Sequence, residues 1–262
     1  RFDYESVLNQ YLKALGTGEV ASFNQELMLR IMSEEDRLIQ DEDIKKYSRT
    51  LLRKSMHNYN IYITTDWATT AKESADYSFI SVWAVNHNQD FFWIDGMCAR
   101  QTIDESFEWL FKFVHKYSPL SVGLEVTGQQ EGLVTYLQRE MQRRQIYFNL
   151  ASQGNSNRPG IRPNTNKLQR FHSVVPLFKA GKIYLPEDYK VTSLKELELE
   201  LSLACVGGFK SKHDDALDTV SMLSLMPIYF PDEPVSFQSD SDGIYQLQDS
   251  DDNINYTASY VV

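Results

Sequence analysis

Apolar positions in this 262-residue chain change their period more than once. "YESVLNQYLKALG" carries them at 4, 7, 8, 11, 12 and 15, the spacing of an amphipathic helix, and Gly16 ends it. "SFNQELMLRIMSEED" suits a second helix or an extended arm, and residues 1–56 read as a helical linker segment. From residue 60 the period shortens. "NIYITTDWA" is a β-rich run that stops on Asp66, and "YSFISVWAVN" and "QDFFWIDGMCA" follow as strands joined by the turn-forming "NHNQ".

Helices and strands then alternate. "TIDESFEWLFKFVHKYS" is an amphipathic helix with Thr102 or Asp104 as cap and Pro119 beyond its end. "LSVGLEV" is a buried-type strand ending on Glu125, "QQEGLVTYLQREMQRRQ" a helix, and "IYFNLAS" another strand. After the loop "GNSNRPGIRPN" come the helix "KLQRFHSVVPLFKAG" and the short extended "KIYLP". "SLKELELELSLACVGG" fits either period: Leu197, Leu199, Leu201 and Leu203 alternate, while Leu194, Leu197 and Leu201 share a helical face. "VGGFKSK" reads as a hairpin or turn before a last helix from Asp214. A meander followed by alternating elements predicts an α/β fold, a mixed central sheet flanked by helices.

Charge changes the picture of partners. The net charge of −10 argues against nucleic acid, but seven acids and no Lys or Arg lie in residues 231–262, leaving −3 for residues 1–230. Those last residues read as an acidic, mobile tail. Arg139, Arg143, Arg144, Arg158, Arg162, Lys167, Arg170, Lys179 and Lys182 form a basic stretch suited to phosphates. Arg158 and Arg162 in the Gly/Pro loop, Lys167 and Arg170 at a helix start, and Lys210 and Lys212 beside the hairpin are the candidate DNA contacts. Cys98 and Cys205 make no C-x-x-C or Cys/His pairing, so a reducing compartment is expected and a zinc site is not. No apolar run approaches the length of a membrane span.

The candidate chemistry is acidic. Asp66 ends one strand, Glu125 ends another, and Asp215 opens the last helix, the places where open α/β sheets gather ligands. Singly, Asp66 suits a turn and Asp214 an N-cap, but Glu125 sits among apolar strand residues, where an unpaired carboxylate is costly. Acids converging from separate elements either share protons or hold a divalent cation. Oxygen-only donors select Mg²⁺ or Mn²⁺, and two such ions support phosphoryl transfer.

The ordered set "TTDWA", "GLEVTGQQEGL", "NKLQRFHSVVPLFKAGKIYLP" and "HDDALDT" resembles the C-terminal nuclease domain of viral terminase large subunits of tailed bacteriophages and herpesviruses. The resemblance covers residues 57–230 and implies an RNase H-like (RuvC-type) fold. It implies an endonuclease that cuts concatemeric viral DNA during packaging, in the host cytoplasm, most naturally a bacterial host. The family's metal-binding acids fall on Asp66, Glu125 and Asp215, with Asp214, Asp218 and Asp76 as accessories. Asp66 would bridge both ions, Glu125 hold the leaving-group ion, and Asp215 the water-activating one. The choice of Asp215 over Asp214 rests on aligning "DAL" with "H-x-x-D-A-L". Double-stranded DNA, a portal protein, a small terminase subunit and an ATPase domain are the implied partners. No G-x-x-x-x-G-K-[ST] loop occurs here, and the start on Arg1 is expected of a fragment that lacks the motor. The competing expectations are a junction resolvase of the same fold and a non-catalytic module that binds DNA or portal.

Overall fold

A computed structural model describes residues 4–17, 36–68, 77–126 and 131–233. The expected arm up to residue 35, Asp76, and the acidic tail from residue 234 lie outside the described residues. Helix α1 is Tyr4–Thr17, as its periodicity requires. The strands β1 (Lys45–Tyr47), β2 (Asn60–Asp66), β3 (Ser78–Val85), β4 (Phe91–Ala99), β5 (Ser121–Leu124) and β8 (Ile183–Pro186) form one sheet, in the order β1-β8-β4-β3-β2-β5. The β2–β3 and β3–β4 pairs are antiparallel, whereas β2–β5, β4–β8 and β1–β8 are parallel. This is the mixed α/β sheet that the pattern predicts.

Every residue of β3 is buried, so its alternate side chains feed two separate cores. On one face Tyr62, Phe79, Trp83 and Trp93 meet Phe171, Val174 and Phe178 of α5 (Lys167–Lys179) and Leu194, Leu197 and Leu201 of α6 (Thr192–Ser202). Leu217 and Val220 of α7 (Asp215–Ser221) join them. On the other face Ile61, Ile63, Ile80 and Val82 meet Phe107, Leu110, Phe111 and Phe113 of α3 (Ile103–Tyr117) and Leu137 and Met141 of α4 (Glu131–Arg144). Each such side chain contributes about 1.5–3 kcal/mol by leaving water.

Local chemistry sets the ends of these elements. Thr102 caps α3 in a reciprocal box with Glu105, and Ser118 leaves the helix in the left-handed region just before Pro119. The ambiguous Leu-rich stretch is helix α6, because only that period buries Leu194, Leu197 and Leu201 while leaving Leu199 exposed. The hairpin after it is β9 (Ala204–Cys205) with β10 (Gly208–Phe209).

Residues 36–56, expected as linker, join this same body. β1 is the edge strand of the sheet, Leu38 and Ile39 lie in one core, and Leu52 of α2 (Arg49–Lys54) lies in the other. Asp95 fixes α2 in place. This buried carboxylate accepts from Arg49 at 3.3 Å, Lys116 at 2.7 Å, Tyr117 at 2.5 Å and Tyr189 at 2.9 Å, so four donors from three segments converge on one charge. No helix among the described residues is long and apolar enough to cross a membrane.

Candidate metal centre

Asp66 is the last residue of β2, whose Thr65 hydroxyl donates to the Gly123 carbonyl of β5 at 2.8 Å. Glu125 directly follows β5, and its backbone bridges Ile161 of β7 (Gly160–Ile161), the parallel partner of the short β6 (Ser152–Gln153). Gly160 is required there. Its φ is 105°, and a Cβ would stand 2.4 Å from the Val126 side chain. The third contribution comes from α7, where Asp215 and Asp218, three residues apart, occupy one helical face. The Ser81 and Thr219 hydroxyls, 2.9 Å apart, tie this helix to β3, and Leu217 N–H donates to Glu200 at 3.0 Å.

These elements bring Asp66 into electrostatic reach of Asp218, Asp215 and Glu125, and Asp214 shares Lys167 with Asp218. Burial holds the Asp66 carboxyl well above the usual carboxylate range, and Asp218, Asp215 and Glu125 push it further against the pull of Lys167. Asp215 is buried and accepts from the Tyr77 N–H at 3.0 Å. Lys167 meets Asp214 at 2.8 Å and Asp218 at 2.5 Å, and Arg170 meets Asp218 at 2.8 Å and Glu125 at 3.4 Å. Burial pulls the Lys167 ammonium down, yet Asp218, Asp214 and Asp66 together hold it above the ordinary lysine range.

Among the described residues no three His, Cys, Asp or Glu side chains form a ready-made metal cage. The acidic oxygens face Lys167 and Arg170 instead. The donor set still suits a hard divalent cation, because it offers carboxylate oxygens alone and their mutual repulsion raises Asp66.

Arg170 is the buried half of this arrangement, with a side chain 6 % exposed. Arg170→Met is expected to lower stability by about 2–4 kcal/mol, near the usual cost of breaking a buried ion pair, since Lys167 still holds Asp218. Urea unfolding in EDTA checks this as a lower midpoint. Arg170→Lys recovers only part, because one ammonium cannot reproduce the planar bridge to two carboxylates.

Asp66, Glu125, Asp214, Asp215 and Asp218 therefore converge, and Lys167 and Arg170, expected on DNA, are engaged with them. Within the basic stretch Arg143, Arg144, Lys167, Arg170, Lys179 and Lys182 make ion pairs. The local basic face is smaller than the sequence suggests. Arg158 and Arg162 line a cavity of about 420 Å³ with Val126, Thr135 and Gln138, next to Glu125. Lys210 and Lys212 are exposed after the hairpin. Glu200 is the residue that sequence reasoning missed. It is 1 % exposed on α6, and its placement beside Leu197 and Leu201 on a helical face is the signal that points to it.

No family model and no curated protein matches the chain. Among solved structures, the human cytomegalovirus terminase nuclease domain, manganese-soaked and inhibitor-bound, matches with a TM-score of 0.51 and 15 % identity. The match covers 71 % of this chain and 93 % of that one. The large terminase nuclease of thermophilic phage G20c with bound cobalt matches at 0.46 and 14 %, over 72 % and 97 % of the two chains. The yeast mitochondrial Holliday junction resolvase gives 0.36 and 14 %, over 67 % and 84 %. The chain thus has the RNase H-like fold of a terminase nuclease domain.

Proposed function

We propose that this chain is the metal-dependent DNA endonuclease domain of a viral terminase large subunit, cutting concatemeric DNA during genome packaging. The observation that carries the reading is the meeting of Asp66, Glu125 and the α7 acids, from three separate elements, where β2 and β5 end. Similarity in fold to a nuclease domain solved with manganese supports it.

In this reading Asp66, Glu125 and Asp215 hold two Mg²⁺ or Mn²⁺ ions, with Asp214 and Asp218 beside them. Bound there, the ions supply an activated water and charge stabilisation of the leaving oxygen. The protein's own part is positioning. β2 and β5 are hydrogen-bonded neighbours, α7 is anchored on β3 through Thr219, and Gly160 lets the loop at residue 161 lock onto Val126. Arg158 and Arg162, beside Glu125, suit phosphates flanking the cut. The domain spans residues 57–230 together with the β1 and α2 segments that complete its sheet and cores. The portal protein, the small terminase subunit and the ATPase domain of a full-length chain are its partners, in the host cytoplasm.

Supercoiled plasmid incubated with Mg²⁺, Mn²⁺ or EDTA tests the reading. Nicked and linear product with either metal and none in EDTA is expected. Linear duplex should be cut as readily as branched DNA; a strict requirement for four-way junctions would make the protein a resolvase. Full Mn²⁺ binding with no cutting of any DNA would overturn the nuclease.

A further inference from the structure

The two cations at the acidic site differ in a way the nuclease reading leaves unused. Both come from the first turn of α5, three residues apart, and share Asp218 as a partner. Arg170 is buried, and its guanidinium spans Glu125, after β5, and Asp218, on α7. Withdrawing it would uncover charge on two elements at once. Lys167 is 47 % exposed along its side chain and meets Asp214 and Asp218, both at the start of α7. Its flexible four-carbon stem can carry the ammonium into water without opening the core.

We propose that Lys167 is the exchangeable counter-ion of the site: it holds Asp214 and Asp218 in the metal-free protein and yields them as divalent ions bind, while Arg170 stays. This rests on the proposed metal site. Charge balance places the exchange at the second ion. With all five carboxylates ionised by bound metal, Arg170, Lys167 and one divalent ion would still leave net negative charge. Two divalent ions and Arg170 neutralise them completely, and Lys167 would then be surplus positive charge among buried cations. Its departure also frees an ammonium at the mouth of the site for the phosphate contact expected of it. Lys167 is accordingly a positioning residue that sets metal affinity and the order of loading.

Mn²⁺ titration by calorimetry and by electron paramagnetic resonance, on wild type, Lys167→Met and Lys167→Arg, tests this without reference to cutting. Lys167→Met should bind the second Mn²⁺ about tenfold more tightly, the factor that 1.4 kcal/mol represents, and melt at lower temperature in EDTA. Lys167→Arg should return both properties toward wild type. Acylation footprinting read by mass spectrometry supplies the direct observation. Labelling of Lys167 in the wild type should rise several-fold when Mg²⁺ replaces EDTA. Wild-type binding of two Mn²⁺ ions with no gain in Lys167→Met, or labelling unchanged by Mg²⁺, would overturn the exchange and leave the metal site standing. No Mn²⁺ binding by the wild type would remove the metal site and the exchange together.

Discussion

Asp66→Asn should abolish metal-dependent cutting and, in the same protein, raise the melting temperature measured in EDTA. The two effects share one cause. Asp66 ends β2 among Asp218, Asp215 and Glu125, and both burial and their charge disfavour its ionised form. The amide keeps the shape and removes the charge, so the metal-free protein gains on the order of 1 kcal/mol from relieved repulsion. On the proposed reading Asp66 would help hold the metal, and its loss would cost cutting about 10³-fold or more, since charge stabilisation is the main service such a site would provide. Plasmid nicking in Mg²⁺ and Mn²⁺, with melts of both proteins in EDTA, reads the pair. Cutting that survives the substitution would remove Asp66 from the site. Lost cutting with a lowered melting temperature would instead make Asp66 a structural acid whose removal damages the fold.

The parts of this protein legible in its sequence are those that local periodicity governs. β2 ends on Asp66 and β5 just before Glu125 because the apolar runs "IYIT" and "SVGL" stop there. The Thr102 cap and the final acidic helix follow from rules that span four residues. What stayed hidden depends on partners distant in sequence. β1 is three residues, Lys45–Tyr47, none of them fully buried, and it becomes a strand only by pairing with β8 more than a hundred residues away. Asp95 reads as one polar residue in an apolar strand until Arg49, Lys116, Tyr117 and Tyr189 are seen around it. The spacing of Lys167 and Arg170 shows that they share a helix face but not that acids lie opposite. Their positive charge therefore reads as a phosphate contact.

Glu200 carries the largest expected dependence of stability on pH. Its side chain lies at the start of α7, where it accepts the Leu217 N–H, a donor that no carbonyl within that helix can take. Burial, reinforced by Asp215 and Asp214, pushes its pKa up to about 9 against that hydrogen bond. In the unfolded chain the group titrates near 4.3. The folded state therefore binds a proton that the unfolded state has lost throughout the interval between. The stabilisation is complete below about pH 4 and falls by about 1.4 kcal/mol per pH unit until it is gone near pH 9. Glu200→Gln keeps an oxygen for Leu217 and cannot ionise, so its stability should exceed the wild type by only about 1 kcal/mol at pH 5 and by increasingly more toward pH 8.5. Glu200→Ala leaves the Leu217 N–H without this acceptor and should lose about 1–3 kcal/mol at pH 5 relative to both. Urea midpoints at pH 5, 7 and 8.5 in EDTA separate the two contributions. Mg²⁺ should flatten the wild-type slope by neutralising Asp215 and Asp214, which supply part of the shift. Parallel slopes for wild type and Glu200→Gln would show that Glu200 is ionised in the folded protein across this range, and that α7 starts on a charged cap.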